Sequence, residues 1–183
     1  MPFAVEMFCD ESADKRVREI WNDLAQAKLT SSMIDGGYRP HVTLGVFEGY
    51  TSPQFENELR LFAEKRGVFS IKFDYLGVFP RPEGVVYFGA VVTGQLLSVH
   101  GEFTRHFAPL MMGIRPYYLP GNWVPHCTLA YGLSMATIPS AVEVCSRSML
   151  PIIAQVKEIG LVEIPKHREV LMCELGGDPR DCS

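Results

Sequence analysis

Apolar residues recur along the chain with two periods, and these periods predict alternating strands and helices. Residues 2–8 place an apolar side chain at every second position, as a β-strand does. Farther on, Val17, Ile20 and Leu24 recur at intervals of three and four residues, which is typical of an amphipathic helix. In the first half, the same reasoning predicts a strand at 2–8, a helix from about 10 to 28, a strand at 41–47, a helix at 52–66 and a strand at 69–79.

The second half of the chain repeats this order of elements. A turn at 80–84 joins the strand 69–79 to the next strand as a hairpin. Pro80 and Pro165 end equivalent strands and lie 85 positions apart. We predict a strand at 85–92, a helix at 94–112, a loop at 111–122, a strand at 124–131, a helix at 140–150 and two closing strands at 152–164 and 169–175.

This repeated order of elements predicts the architecture. We expect an α+β fold of two duplicated β-α-β-α-β units, in which antiparallel sheets line a central cleft and the helices lie outside. No linker separates the two halves. We therefore predict one bilobed domain over 1–183, with halves at about 1–83 and 84–175 and a loose tail at 176–183.

The pentapeptide Pro-His-x-Thr-Leu occurs twice, at 40–44 and at 125–129. Its histidines, His41 and His126, are 85 positions apart, the same offset as the two prolines. One copy would indicate little, because a single histidine near a threonine is usually a packed structural residue. Two copies nearly half a chain apart favour a duplication that brings two equivalent sites together.

Alternation within the two motif strands predicts which side chains face the cleft. A histidine and the threonine two positions later share a face, so Thr43 and Thr128 accompany the two histidines. The next residue on that face is Gly45 in one copy and Ala130 in the other. Both are small, which predicts space for a ligand. If these faces were core instead, each buried polar side chain would cost about 1–3 kcal/mol when unpaired.

Composition and charge narrow the class of protein. With 47% hydrophobic and 21% charged residues, the chain has the material for a folded core, and no apolar run is long enough for a membrane helix. The N-terminus lacks a basic segment and Glu6 interrupts its apolar stretch, so we predict a cytoplasmic monomer without a signal peptide. The net charge of −4 argues against a long nucleic acid as ligand and permits a nucleotide or an RNA end.

Two histidines with two threonines suit proton transfer better than the other chemistries that histidine supports. The sequence has no His-x-His or His-Glu-x-x-His spacing for a metal and no Gly-x-Ser-x-Gly turn for a serine nucleophile, and Cys127 alternates away from His126. Because imidazole titrates near neutral pH, one histidine can accept a proton while the other donates one. The pattern therefore predicts acid–base chemistry on a phosphate, with no metal and no cofactor. It leaves open which histidine is the base.

The double motif and the order of elements resemble the 2H phosphoesterase superfamily, which includes LigT-like 2′-5′ RNA ligases and 2′,3′-cyclic nucleotide phosphodiesterases. The signature of that family is a pair of His-x-[Ser/Thr] motifs in a duplicated bilobed fold. The resemblance implies metal-independent opening of a cyclic phosphodiester to a phosphomonoester, commonly a 2′-phosphate. It assigns the catalytic roles to His41, Thr43, His126 and Thr128.

Five further residues are predicted to contact the substrate. Tyr87 occupies a strand position where LigT-like proteins often hold an aromatic side chain near the site. Arg39 lies next to a motif, and its charge suits a phosphate. Arg115, Tyr118 and Trp123 belong to an aromatic stretch that can form a lid or a wall for a base. For each aromatic side chain, ordinary packing is the competing interpretation.

Several activities share this set of residues. Within the enzymes, the alternatives are 2′-5′ ligation of RNA, a 3′-exonuclease and opening of ADP-ribose 1″,2″-cyclic phosphate. A different class is a non-catalytic protein that binds a nucleotide or an RNA end in the same cleft. The intact pair of His-x-Thr motifs argues against that class, because a protein that only binds needs no proton-transfer groups.

Overall fold

Strands and helices alternate through both halves of the chain in the computed structural model, which describes residues 1–165 and 167–176. The strands are β1 (Phe3–Cys9), β2 (His41–Phe47), β3 (Gly49–Tyr50), β4 (Phe69–Phe79), β5 (Gly84–Ala90), β6 (Met111–Met112), β7 (His126–Leu133), β8 (Ile152–Glu163) and β9 (Arg168–Glu174). The helices are α1 (Glu11–Gln26), α2 (Ser32–Asp35), α3 (Gln54–Glu64), α4 (Gly94–Phe107) and α5 (Ile138–Cys145). Of the tail predicted at 176–183, all but Gly176 lies outside the described residues.

The predicted order of elements is confirmed in both halves, and the differences are local. The short helix α2 and the two-stranded sheet of β3 and β6 were not predicted. Helix α2 has four residues, and β3 and β6 have two each, so these elements are too short to show a hydrophobic period. The helix predicted to reach position 112 ends at Phe107, because Pro109 lacks the N–H that would continue it.

Seven strands of the described chain form one antiparallel sheet that crosses both halves. Its order is β2-β1-β8-β4-β5-β7, and β9 pairs with the later part of β8. One part of the sheet, β2, β1, β8 and β9, meets the other part, β4, β5 and β7, where the first residues of β4 and β8 pair, from Phe69 with Val156 to Phe73 with Ile152. The predicted fold class is therefore confirmed. Each part of the sheet combines strands from both halves of the sequence: β1 and β2 lie beside β8 and β9, and β4 lies beside β5 and β7.

A large hydrophobic core lies between the sheet and the helices. Helix α1 turns Val17, Ile20, Trp21 and Leu24 toward it. Helix α1 packs on β7 and β8, and α4 packs on β2, so a helix from each half contacts the motif strand of the other half. A second, smaller apolar cluster contains Ala4, Phe8, Val46, Val162 and Met172.

Each motif strand contains a β-bulge directly after its threonine. The pairing of β1 with β2 skips Leu44, and the pairing of β5 with β7 skips Leu129, which is the same position of the motif. Both leucines are buried in the large core. The duplicated motif is thus accompanied by a duplicated irregularity of the backbone.

The bulges reverse the two faces of the strands beyond the threonines. The prediction that Gly45 and Ala130 open the cavity is therefore wrong. A Cβ on Gly45 would meet the core residue Phe103 at 3.0 Å, and Ala130 is buried in the same core. Val46 and Tyr131 line the cavity instead.

Candidate active site

A cavity of about 420 Å³ lies between the two motif strands. Its volume falls in the range of small-ligand sites. Seven of the predicted site residues line it: His41, Thr43, Arg115, Tyr118, Trp123, His126 and Thr128. The two motifs, far apart in the sequence, therefore face one space.

Both histidines are held by the same kind of backbone hydrogen bond. Nδ1 of His41 lies 2.6 Å from the carbonyl oxygen of Arg39, and Nδ1 of His126 lies 2.7 Å from that of Val124. A carbonyl oxygen only accepts, so each Nδ1 carries a proton and donates it. Nε2 of each ring is left to exchange protons with other groups.

His41 lies beside a buried carboxyl group that was not predicted. Its Nε2 is 3.4 Å from Oε1 of Glu6, and Glu6 is only 2% exposed. Burial raises the pKa of Glu6 to about 8. Burial also lowers the pKa of His41 to about 4. Burial therefore disfavours both the carboxylate form of Glu6 and the imidazolium form of His41.

His126 lies in a more open, aromatic half of the cavity. The rings of Phe79 and Tyr87 have their centroids 5.1 and 5.0 Å from that of His126. Burial lowers the pKa of His126, and the charge that His41 can carry lowers it further. The two histidines thus share a backbone geometry and differ in their side-chain neighbours.

Two tryptophans support the motif strands at their bulges. Nε1 of Trp123 donates to the carbonyl oxygen of Thr43 at 2.9 Å, and Nε1 of Trp21 donates to that of Thr128 at 3.2 Å. A bulge interrupts the ladder of the sheet, so these carbonyl groups need donors from elsewhere. Trp123 also stacks on His100, with ring centroids 3.9 Å apart. Each indole reaches from one half of the chain to the motif of the other.

Arg39 and Tyr87 lie behind the cavity wall rather than on it. The guanidinium of Arg39 pairs with two carboxylates, those of Glu158 at 2.5 Å and Glu169 at 3.1 Å. The side chain of Tyr87 is buried and packs against His126. The structure therefore does not bring these two predicted residues to a position in contact with a ligand.

Several residues of the cavity wall were not predicted. They include Glu6, Tyr38, Phe79, Arg81, Tyr131 and His167, whereas Tyr117 belongs to the aromatic stretch predicted as a lid or wall. Tyr38 packs on His167 with ring centroids 3.5 Å apart, and the guanidinium of Arg81 lies 4.5 Å from the ring of Tyr117. Only Glu6 had a sequence signal, as the single charged residue within an apolar strand.

Within residues 1–165 and 167–176, no three His, Cys, Asp or Glu side chains come together in a way that could hold a metal ion. Cys127 is buried on the core side of β7 and carries a free thiol. No helix of these residues has the length and apolar character needed to cross a membrane.

Comparison with known proteins identifies a family and a fold. The sequence model of the 2′-5′ RNA ligase superfamily matches residues 18–168. Escherichia coli LigT complexed with 3′-AMP has a TM-score of 0.55 and 19% identity, over 92% of this chain and 93% of that chain. A phosphoesterase crystal structure has a TM-score of 0.52 and 20% identity, over 94% of each chain.

A more distant structure has the same fold. Kluyveromyces marxianus Usb1 has a TM-score of 0.52 and 9% identity, over 95% of this chain and 98% of that chain. At such identities these likenesses show a shared fold. A sequence search of curated proteins gave no match.

Proposed function

The chain belongs to the 2′-5′ RNA ligase superfamily, and on that premise we propose that it opens a 2′,3′-cyclic phosphate to a phosphomonoester without a metal ion. The substrate is a nucleotide or an RNA end, and the product is the 2′-phosphate. One observation carries the proposal: two histidines with protonated Nδ1 atoms line a single cavity together with two threonines.

The proposed reaction needs one proton acceptor and one proton donor. A neutral histidine takes a proton from water as the water oxygen bonds to phosphorus. A protonated histidine gives a proton to the ribose 3′ oxygen as the bond from that oxygen to phosphorus breaks. The hydroxyl groups of Thr43 and Thr128 donate hydrogen bonds to the non-bridging oxygens, where negative charge increases in the transition state.

The surroundings of the cavity support a small ligand. Arg81 and Arg115 line it, and their charges suit a phosphate or a nearby phosphodiester. LigT binds 3′-AMP in the same fold, and a cavity of about 420 Å³ suits one nucleotide. With a net charge of −4, we propose a small nucleotide or an RNA end as the partner of a cytoplasmic monomer, rather than a long nucleic acid.

A panel of substrates tests the proposal. It contains 2′,3′-cyclic nucleotides, ADP-ribose 1″,2″-cyclic phosphate and RNA with a cyclic-phosphate end. Products are resolved as 2′- or 3′-phosphates, and the double variant His41→Ala/His126→Ala serves as the blank. We expect 2′-phosphates from wild type, at a rate that EDTA does not change. No turnover of any cyclic phosphate by folded protein, or strict dependence on a metal, would overturn the proposal.

Ligation of RNA is the second candidate, and the description of the family favours it. A 5′-hydroxyl group would then take the place of water in the same cavity. The test is to incubate RNA carrying a cyclic phosphate with RNA carrying a 5′-hydroxyl and to look for a 2′-5′ linkage. The same gel reports 3′-exonuclease products. Binding of these ligands with no turnover above the double variant would instead indicate a non-catalytic binder.

A further inference from the structure

We propose that Glu6 is a positioning residue that shares one proton with His41, so that His41 serves as the general acid and His126 as the general base. The inference rests on the proposed function and assigns the two roles that the repeated motif leaves open. It begins from a difference between the halves of the sheet. Opposite the motif threonine, one half has Glu6 and the other has Tyr87.

The burial of Glu6 has no evident structural benefit. Its strand neighbours Val5 and Met7 belong to the hydrophobic core, whereas the side chain of Glu6 lines the cavity. Oε1 lies 3.4 Å from Nε2 of His41, and Oε2 has no hydrogen-bond partner among the described residues. Burying a carboxyl group with one oxygen unpaired is unfavourable. A role next to the histidine explains why such a group is there.

Hydrogen bonding around the pair limits where a proton can go. Nδ1 of His41 donates to the carbonyl group of Arg39, so only Nε2 and the carboxyl group of Glu6 exchange a proton. One shared proton gives either a neutral acid beside a neutral imidazole or a carboxylate beside an imidazolium. Both forms lack net charge, which suits a buried site. Burial sets the pKa of Glu6 at about 8 and that of His41 at about 4, so the pair keeps its single proton between these limits.

Other titratable groups surround the pair, and none replaces Glu6. Those that face it from the neighbouring elements are Tyr38, Arg39, Tyr118, His126, His167 and Glu169. Arg39 lowers the pKa of Glu6 and Glu169 raises it, both by less than burial does. The ring of His167 lies 5.9 Å from that of His41, and burial lowers its pKa to about 4, so it is neutral at pH 7.

His126 has the surroundings of a base. Its neighbours Phe79 and Tyr87 are uncharged rings, and within the described residues no carboxylate lies at ion-pair distance from it. Burial lowers its pKa, which keeps it neutral at pH 7 with Nε2 able to accept a proton. At pH 7 the pair of Glu6 and His41 therefore holds a proton that it can donate, while Nε2 of His126 is free to accept one.

The proton balance of the step is complete with these groups. His126 takes a proton from water as the water oxygen bonds to phosphorus, and His41 gives its Nε2 proton to the departing 3′ oxygen. The pair is left as a carboxylate and a neutral imidazole, and His126 is left as an imidazolium. Exchange with solvent returns one proton to the pair and removes one from His126.

The variant Glu6→Gln tests the inference, because it keeps the shape of the side chain and removes its proton. In wild type, we expect kcat to fall as the pH rises above about 8. In Glu6→Gln, kcat at pH 7 is expected to fall at least ~10-fold with KM little changed, and activity should recover on acidification, because His41 must now hold its proton alone. Glu6→Asp restores the carboxyl group and should regain part of the rate.

A matched control removes another buried carboxyl group of the same sheet. Glu163 is 4% exposed, pairs with Arg168 and does not line the cavity. Glu163→Gln is expected to lose stability and to keep the wild-type pH profile. An unchanged rate and profile in Glu6→Gln, or an equal fall at every pH, would overturn the role of Glu6 while leaving the proposed function intact.

Nuclear magnetic resonance of the histidine ring nitrogens gives a measurement that does not depend on turnover. In wild type, the Nε2 signal of His41 should change with a midpoint near pH 8, when the pair loses its proton, and Glu6→Gln should lack this transition. An Nε2 signal of His41 that does not change near pH 8 in wild type would refute proton sharing. If no cyclic phosphate is turned over, this titration still decides whether the pair exists.

Discussion

His41 and His126 occupy matching positions in two strands, yet their side chains have different neighbours. Both follow a proline, both donate from Nδ1 to the carbonyl oxygen two residues earlier, and both precede a bulge. His41 is buried beside the carboxyl group of Glu6. His126 is more open and lies against the rings of Phe79 and Tyr87.

The comparison separates two properties of a duplicated site: the backbone geometry is the same in both copies, and the side-chain neighbours of the histidines differ. The backbone places two imidazoles and two hydroxyl groups at one phosphate, so its geometry is repeated, including the bulges and the tryptophan donors. A proton donor and a proton acceptor need opposite protonation states at the same pH. The neighbours of the two rings can supply this difference without moving the backbone.

The largest effect that tests the comparison is the loss of either histidine. His41→Ala and His126→Ala should each lower kcat on a cyclic phosphate by about 10²–10⁴. An aryl phosphodiester with a 4-nitrophenolate leaving group needs no general acid, because that group departs without a proton. On this substrate His41→Ala should stay within about tenfold of wild type, and His126→Ala should remain slow.

The two substrates together separate the possible outcomes. If kcat fell equally in both variants on both substrates, the assignment of His41 as acid and His126 as base would be wrong. If His126→Ala and not His41→Ala kept a rate near that of wild type on the aryl phosphodiester, the roles of acid and base would be exchanged. Full activity of either variant on the cyclic phosphate would remove that histidine from the mechanism.

The pH dependence of stability tests whether the pKa of Glu6, beside His41, is raised. The pKa of Glu6 is raised from 4.5 to about 8, so its favourable contribution is present below pH 4.5 and is lost as the pH rises through 8. Glu6→Gln has no such loss. Between pH 5 and pH 8, the free energy of unfolding of the variant should therefore rise relative to wild type by roughly 3 kcal/mol. Urea unfolding at several pH values measures it, and a constant difference would contradict the raised pKa.

Substitution of the tryptophans should change kcat least, because neither indole transfers a proton in the proposed reaction. Trp123→Phe and Trp21→Phe each leave the carbonyl group of a motif threonine without its donor, at a cost of about 1–3 kcal/mol in the free energy of unfolding. Trp21 should cost more, because it is 2% exposed and the smaller ring leaves a void. Both should also lower kcat, whereas Phe62→Leu, in the core between α3 and α4, should lower stability alone. Unchanged kcat in both tryptophan variants would show that the bulges need no such support.

Much of the fold could be predicted from periodicity. Strand β4 spans the predicted residues 69–79, because alternation ends at the proline that follows. Its partner β5 differs from the prediction only at its ends. Helix α1 was visible in its apolar stripe. These features depend on local sequence, so the spacing of apolar residues is enough to predict them.

The features that could not be predicted depend on pairing across the sheet. The bulge at Leu44 follows from the register of β2 against β1, and the sequence of β2 alone reads as simple alternation. Arg39 was predicted at the phosphate from its place beside the motif, yet Glu158 and Glu169 on other strands draw its guanidinium away. In the sequence Glu6 only interrupts an apolar segment, because its partner His41 lies 35 positions farther along the chain.

The continuous sheet has a consequence for motion. Five backbone residue pairs join β4 to β8, so a hinge between the part of the sheet that carries β2 and the part that carries β7 would have to break that ladder. The frame that carries the two imidazoles is therefore stiff, and their separation is set by folding rather than by closure around a ligand. Entry and release then depend on the exposed side chains of the cavity wall, such as those of Arg81 and Tyr117. Such a protein meets its ligand with the reactive geometry already assembled.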